Sequence, residues 1–490
     1  MLSEQVPSVN DHRDGPRDEC GVFGIYGPER DVARLAYFAL FALQHRGQES
    51  AGIATAPRGG YIMAIRDQGL VSQVFDEHKL RSLIGDLAIG HVRYSTTGSS
   101  AWENTQPIVR DDRRTLALAH NGNLINAVQL HTELRGRDVP FSSTSDSEII
   151  AALLATHPAP RIEDAVADVL PRLKGAFSTV VMTEDSVVAF RDPHGLRPLA
   201  LGKINDGAGR PAWCVASESC AFDLIGARYE REIEPGEVVI LTEGGMESRI
   251  VAPAQRRAFC VFEYIYFARP DSRMAGTVLQ AARARMGERL WHEAPVDADL
   301  VIPVPDSGNA AARGLARAAG LPQDDGFIKN RYVARTFIQP GQELRRQGLR
   351  LKFNPLPEVV AGKRLIVVDD SIVRGNTMPE IVKMLRDAGA TEVHVRISSP
   401  PIKHPCHYGI DMSTREEMIA HERTVEEVAE VLGADSLHYL SLEGVYEAVG
   451  TDRGAHCDAC FSGEYPLEGT EDANGKFAFE GAVELPLVRA

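Results

Sequence analysis

Residues 364–378 read RLIVVDDSIVRGNTM: a strand-length aliphatic run, two adjacent carboxylates, a short polar loop and the opening of a helix. A strand that delivers acids into a loop ahead of a helix is the repeating unit of a parallel sheet. Such a sheet must bury both faces under helices. The flanking sequence agrees. Helices are expected around 276–293, 309–319 and 378–388, and strands at LVIPV (300–304), KRLIVVDD (363–370) and EVHVRIS (392–398). Alternation at that spacing predicts βαβ units in a second half that begins near 253–257.

Asp369 and Asp370 then fall at the carboxyl end of a parallel strand, where open α/β sheets bind ligands. The loop SIVRGNT offers Gly375, small polar side chains and successive backbone amides at a helix N-terminus, which suits an anion. Together they suit a sugar phosphate, with acids for ribose hydroxyls and amides for the phosphate. Taken alone, the acid pair could equally bind only Mg²⁺ or cap a helix. PVPDSGNAA (303–311) is a second strand-end loop and, by itself, reads as a plain turn. Residues 329–353 carry seven Lys or Arg against one Glu in a chain of net charge −15. Without context that stretch is a solvated face or a nucleic-acid contact.

The first half is built differently. Short apolar strands (CGVFGIYG, DLAIGHVRYSTTG, LALAHNGNL, TVVMTEDSVVAF, EVVILTEGG) are interrupted by helices expected at about 31–44 and after Ser145, where Glu148 has capping-box spacing. This is a layered α/β domain. Four segments each end a strand or open a helix: QHRGQESAG (44–52), HVRYSTTG (91–98), HNGNL (120–124) and SSTSDSE (142–148). Strand and helix ends are where side chains converge on a site. Each has a plain alternative: Cys20 as a packed small residue, Arg93 as a surface ion pair, Asn121-Gly122 as a hairpin turn, Asp146 as a helix cap.

Taken in order behind Cys20, these segments resemble the class II glutamine amidotransferases, which have an N-terminal-nucleophile αββα fold. The resemblance implies removal of a leader, residues 1–19, between Glu19 and Cys20. The freed α-amino group, titrating near pH 7.7–8.0, is then well placed to take the thiol proton. It also implies that Asn121 and the Gly122 N–H stabilise the oxyanion, that Arg93 and Asp146 hold the glutamine α-carboxylate and α-ammonium, and that Arg46, grouped with these glutamine-binding residues, supports the nucleophile pocket. The 364–378 segment is similar to the signature of type I phosphoribosyltransferases. That resemblance implies phosphoribosyl pyrophosphate on Asp369, Asp370, Ser371, Arg374, Gly375, Asn376, Thr377 and Lys329. It implies Mg²⁺ near Ser307, Asp369 and Asp370, and a basic loop (329–353) closing over the pyrophosphate.

Seven cysteines, an odd number scattered along the chain, do not read as a disulfide framework. Cys457 and Cys460 form C-x-x-C, with Cys260 and Cys406 remote. Spacing alone allows Zn²⁺ at least as readily as iron–sulfur. The chain from 20 to about 466 resembles the iron–sulfur branch of the amidophosphoribosyltransferases, whose cysteine contexts match FCVFEYIY, HPC and CxxC. This implies a [4Fe–4S] cluster on Cys260, Cys406, Cys457 and Cys460, serving structure rather than redox chemistry.

The expected organisation is therefore a two-domain α/β and α+β chain. A leader (1–19) precedes an αββα glutaminase domain (20–250), a parallel-sheet phosphoribosyltransferase domain with the cysteine segment (251–466) and an acidic tail (467–490). By resemblance, glutamine and phosphoribosyl pyrophosphate react to 5-phosphoribosylamine, glutamate and pyrophosphate, the first committed step of purine synthesis. Purine nucleotides would be feedback inhibitors and the assembly a homotetramer. The acidic balance and the lack of a long apolar run argue against nucleic acid and membrane partners and for a cytoplasmic protein. Another class II amidotransferase is one rival. The other is a regulatory protein that senses phosphoribosyl pyrophosphate without turnover, which leaves Cys20, Arg93 and Asn121 without a purpose.

Overall fold

The structure is a computed structural model that describes residues 19–94, 100–205, 211–253, 256–330, 350–410, 412 and 414–467. Most of the expected leader (1–18), the middle of the basic stretch (331–349) and most of the acidic tail (468–490) lie outside the described residues.

The first half contains strands β1 (Gly21–Tyr26), β2 (Ser50–Ala56), β3 (Met63–Gln68), β4 (Leu87–Arg93), β5 (Ile108–Asp111), β6 (Thr115–Leu124) and β7 (Gly175–Met182). They are followed by β8 (Val187–Arg191), β9 (Ala200–Ile204), β10 (Ala212–Ala216), β11 (Arg228–Glu232), β12 (Glu237–Thr242) and β13 (Gly245–Ile250). They form two antiparallel sheets, ordered β11-β9-β10-β1-β4-β2-β3 and β13-β12-β8-β7-β6-β5. The side-chain period of two explains the stacking. In β1, Val22 and Tyr26 enter the core between the sheets, beside Ala119, Val180 and Val239 of the facing sheet. Phe23 and Ile25 point the other way, against helix α1 (Val32–Ala42). Across the sandwich, Leu118, Phe177 and Val188 pack under α2 (Ala127–Arg135), α3 (Asp146–Ala155) and α4 (Ile162–Val169). The result is the expected αββα layering.

Asp31 caps α1, its carboxylate accepting the Arg34 N–H at 3.0 Å. The capping box expected at Ser145 does not form. Ser145 accepts the Ser147 N–H, while Glu148 turns to the backbone N–H groups of Ser142 and Ser143 and to Arg110. A buried arginine and two loop amides are better partners for that carboxylate than the helix's own terminus.

The second half holds a four-stranded parallel sheet, β14 (Leu300–Pro303), β15 (Arg364–Asp369), β16 (Glu392–Ile397) and β17 (Ser436–Tyr439), in sequential order. Ile366 and Val368 face α5 (Leu279–Glu293), α6 (Asn309–Ala319) and α9 (Leu442–Val449). Leu365 and Val367 face α7 (Met378–Asp387) and α8 (Val425–Leu432). A short parallel pairing joins Phe259–Cys260 to His456–Cys457. Among the described residues no helix is long and apolar enough to cross a membrane.

Candidate active sites

Cys20 stands immediately before β1, at the end of the sandwich where β4 finishes; Gly21 pairs with Val92, next to Arg93. The Cys20 thiol is buried and donates to the Tyr94 carbonyl at 3.3 Å. Burial pushes it up to about 11, against the pull of that contact and of Arg93, while Glu49 and Asp146 push it further. These groups are therefore the charged surroundings of the thiol. Arg93 is buried as well, and the same burial lowers its guanidinium. Asp146, the first residue of α3, accepts the Leu124 N–H at 2.9 Å and stands 3.8 Å from His120 Nδ1. It is not the helix cap, a place taken by Ser145.

Asn121 and Gly122 lie inside β6, paired with Ser178 and Phe177, which removes the hairpin-turn reading. The Asn121 Nδ2 is buried and has no hydrogen-bond partner among the described residues. An amide donor left unsatisfied costs about 1–3 kcal/mol, so it is retained where a ligand atom completes it. Gly122 has φ 150°, and a Cβ there would meet the Ala176 carbonyl oxygen at 1.9 Å. Only glycine brings the backbone this close to β7.

Behind Cys20 lies a fully buried charge cluster. Arg46 donates from Nε to the Cys20 carbonyl (3.0 Å), from Nη1 to Glu218 (2.6 Å) and Glu263 (3.1 Å), and from Nη2 to Glu19 (2.7 Å) and Glu263 (2.8 Å). All five N–H donors of the guanidinium are engaged. Arg46 was expected to support the nucleophile pocket among the glutamine-binding residues; here it holds the backbone of the nucleophile. Glu19 also pairs with Arg197, whose Nε and Nη2 reach the Tyr408 carbonyl at 2.9 and 2.6 Å. Glu19 is thus part of the fold, whereas residues 1–19 were expected to lie outside it. Two guanidiniums here face three carboxylates, and burial raises Glu19 well above the usual carboxylate range. Glu263 comes from the second half of the chain, so Arg46 ties the two halves together at the nucleophile.

The second site forms at the carboxyl ends of β14 and β15. Ser307 Oγ donates to Asp369 at 3.1 Å, the Asp370 N–H donates to the same Asp369 oxygen at 2.9 Å, and Ser371 Oγ bonds Asp370. Burial raises Asp369 well above its ordinary range and the neighbouring Asp370 charge adds to this; Asp370 is raised as well, again chiefly by burial. A half-buried and a buried carboxylate thus stand side by side, each held by a serine hydroxyl, a donor set that fits a cation. Arg374 pairs with Glu417 at 3.3 Å, and Lys329 with Asp306. Gly375 and Asn376 lie in the turn ahead of α7, and Thr377 stands at its N-cap. Residues 331–349 of the basic stretch are outside the described residues.

The comparisons with known proteins follow the same division. The model of a glutamine amidotransferase domain matches residues 91–223, and that of a phosphoribosyl transferase domain matches residues 278–399. The chain is 52% identical over 471 residues to an amidophosphoribosyltransferase of Synechocystis sp., covering 95% of this chain and 94% of that one. The chain belongs to the amidophosphoribosyltransferase family. The amidophosphoribosyltransferase of Bacillus subtilis is 48% identical, over 94% of this chain and 96% of its own. A solved structure of glutamine phosphoribosylpyrophosphate amidotransferase from B. subtilis, complexed with ADP and GMP, superposes with a TM-score of 0.87 over 93% of this chain and 99% of that one. Members of this family are pentosyltransferases of purine biosynthesis.

Four cysteines of this amidophosphoribosyltransferase chain converge from three separate segments. Cys260 is the strand partner of Cys457, and the Cys460 thiol, raised chiefly by burial, is raised further by Cys260, Cys406 and Cys457 around it. All four thiols are free, and the Tyr408 N–H donates to Cys406 Sγ at 3.4 Å. Among the described residues, no three His, Cys, Asp or Glu side chains could hold a single metal ion. Four convergent thiols receiving a backbone N–H···S bond still fit a polynuclear iron–sulfur group, whose ligands stand further apart than those of one ion. Cys214 and Cys220 are buried thiols, and Cys220 Sγ donates to Glu218 at 3.7 Å. Sequence reading missed Glu19, Arg197, Glu218 and Glu263. Glu263 stood in view within FCVFEYIY, where a charge inside an aromatic run signals a buried partner.

Proposed function

We propose that the chain moves the amide nitrogen of glutamine onto phosphoribosyl pyrophosphate, giving 5-phosphoribosylamine, glutamate and pyrophosphate. The observation that carries this reading is the buried Asn121 amide, without a partner among the described residues, on a strand that packs across from the one Cys20 opens, with the Cys20 carbonyl held by Arg46, itself clamped by Glu263 of the phosphoribosyltransferase half.

The leader ends at Glu19. Its release leaves two buried guanidiniums, Arg46 and Arg197, opposite two carboxylates, Glu218 and Glu263, a better balance than the uncleaved chain has. The Cys20 α-amine exposed by cleavage takes the proton of a thiol that burial otherwise holds near 11. The thiolate sulfur adds to the glutamine carboxamide carbon while Arg93 and Asp146 hold the amino-acid end. Asn121 Nδ2 and the Gly122 N–H receive the developing oxyanion. Collapse of the tetrahedral adduct expels ammonia, with the proton returned from the α-amine, and leaves a γ-glutamyl thioester that water hydrolyses to glutamate. Ammonia reaches C1 of the phosphoribosyl group through the protein interior, and pyrophosphate departs with the bonding pair.

The 371–377 loop amides, with Ser371, Arg374, Gly375, Asn376 and Thr377, take the 5′-phosphate, while Asp369 and Asp370 orient the ribose hydroxyls. Lys329 and the basic stretch cover the pyrophosphate, excluding water and retaining ammonia. Ser307, Asp369 and Asp370 would hold Mg²⁺, which supplies charge neutralisation on the leaving group. Cys260, Cys406, Cys457 and Cys460 would hold a [4Fe–4S] cluster that cross-links the C-terminal segment. The nucleotides bound in the B. subtilis relative support purine nucleotides as inhibitors here. A cytoplasmic homotetramer completes the reading.

Glutamate release measured anaerobically, with and without phosphoribosyl pyrophosphate and Mg²⁺, tests it. Strong activation is expected. Release indifferent to phosphoribosyl pyrophosphate would leave a glutaminase with another acceptor. No release from protein that begins at Cys20 would favour the sensor.

A further inference from the structure

Residues 404–410 leave the phosphoribosyltransferase half and lie across the end of β6. The segment is tied to the glutamine amidotransferase half at two points and braced by one bond within itself. Asn123 Nδ2 donates to the His407 carbonyl at 3.0 Å, Arg197 donates twice to the Tyr408 carbonyl, and the Tyr408 N–H donates to Cys406 Sγ. Gly409 follows these anchors with φ 103°. A Cβ added to Gly409 would stand 2.9 Å from the Gly122 carbonyl carbon and 3.1 Å from its Cα and O. Gly122 is also pressed against the Ala176–Phe177 backbone of β7. The residue after Asn121 is therefore in close contact with two backbones, one from its own sheet and one from the other half of the chain.

We propose that Gly409 is a positioning residue for the glutamine half-reaction: it sets the Gly122 peptide, and through it the oxyanion donors. This rests on the oxyanion reading above. An alanine at position 409 adds a clash with main chain, which cannot rotate away as a side chain does, in a backbone conformation that L-residues rarely adopt. Either Gly122 shifts by a few tenths of an ångström or the 404–410 segment lifts from β6. Oxyanion donors act within a narrow range of about 2.7–3.1 Å, so either response weakens transition-state stabilisation more than ground-state binding.

Gly409→Ala should lower glutaminase kcat by about 10–100-fold with the glutamine KM moved less than about threefold. Ammonia-dependent phosphoribosylamine synthesis by the same full-length protein should be unchanged. Affinity for glutamate γ-semialdehyde, whose hemithioacetal with Cys20 mimics the tetrahedral adduct, should fall in step with kcat, while affinity for glutamate is retained. Asn123→Ala, which removes one tether without a clash, should show the same pattern at a few-fold level and serves if the glycine variant does not fold. Unaltered glutaminase kcat in both variants would overturn the proposal, as would parallel loss of the ammonia-dependent activity. Asn121→Ala run alongside separates the two readings. If it loses glutaminase while Gly409→Ala does not, the positioning role fails and the oxyanion assignment stands; if it keeps glutaminase, the assignment itself fails.

Discussion

Replacing Asn121 with alanine should move activity and stability in unrelated ways. The side chain is 1% exposed and its amide nitrogen has no partner among the described residues. A buried orphan donor costs about 1–3 kcal/mol, so deleting it returns stability. The small cavity left behind costs on the order of 1 kcal/mol, in the opposite direction. The two effects nearly cancel, and the expected change in unfolding free energy is less than about 1 kcal/mol. Catalysis has no such compensation. Removing one oxyanion donor typically costs about 10²–10³ in kcat, roughly 2.7–4 kcal/mol of transition-state stabilisation. The assay is glutamate release at saturating glutamine in the presence of phosphoribosyl pyrophosphate, paired with urea unfolding of the same preparations. Ammonia-dependent synthesis serves as the control for the second site. A variant destabilised by several kcal/mol would mean that the Asn121 amide is structurally satisfied after all. A stable variant with unchanged kcat would mean that the oxyanion lies elsewhere.

Asp369→Asn removes one of two adjacent, mutually repelling carboxylates, the half-buried one. Thermal stability without ligand should stay level or rise, while pyrophosphate release, and the rise in melting temperature caused by Mg²⁺ with phosphoribosyl pyrophosphate, should disappear; a retained ligand-induced shift would refute the cation role. The Cys20 thiol lies near 11 in the uncleaved chain, so about one molecule in 10⁴ is thiolate at pH 7 and carbamidomethylation by iodoacetamide should be slow. Protein beginning at Cys20 should react at least about tenfold faster, and equal rates would discount the α-amine as base. His91 is buried, its Nε2 donating to the His120 carbonyl at 3.0 Å, and burial lowers it to about 3. The unfolded chain takes up that proton near pH 6.5 and the folded chain does not, so stability present above that value is lost as pH falls toward 3, by on the order of 5 kcal/mol. Urea midpoints should decline across this window and decline less in His91→Gln; identical slopes would reject the assignment. Arg46→Ala strips the buried carboxylates of a shared partner and should cost about 3–5 kcal/mol. Calorimetry showing less than 1 kcal/mol would mean that water satisfies them.

The sequence carried the layering well because its strands obey a period of two on both faces: Val22 and Tyr26 against Phe23 and Ile25 in β1, Leu365 and Val367 against Ile366 and Val368 in β15. It also carried the strand-end placement of Asp369 and Asp370, because an acid pair behind four aliphatics has few other places to stand. What it concealed was pairing across long separations. Nothing local links Arg46 to Glu218 and Glu263, about 170 and 220 positions away. Glu19 looked like leader because it ends a run of charged residues, Arg17-Asp18-Glu19, which gives no burial signal, whereas two guanidiniums inside the fold bury it. Glu148 failed as a capping partner for a similar reason: the motif describes local options, and Arg110 with the Ser142–Ser143 amides offered a non-local one. The Gly409–Gly122 contact was equally hidden, since each glycine alone reads as a turn.

The central claim, one chain coupling two half-reactions, is tested most directly by measuring glutamate and pyrophosphate together, anaerobically, in the native protein and in Cys20→Ala. The account predicts equal amounts of both products from glutamine in the native protein. It predicts no glutamate but undiminished ammonia-driven pyrophosphate release in Cys20→Ala. Glutamate without matching pyrophosphate in the native protein, or pyrophosphate from glutamine in Cys20→Ala, would contradict it.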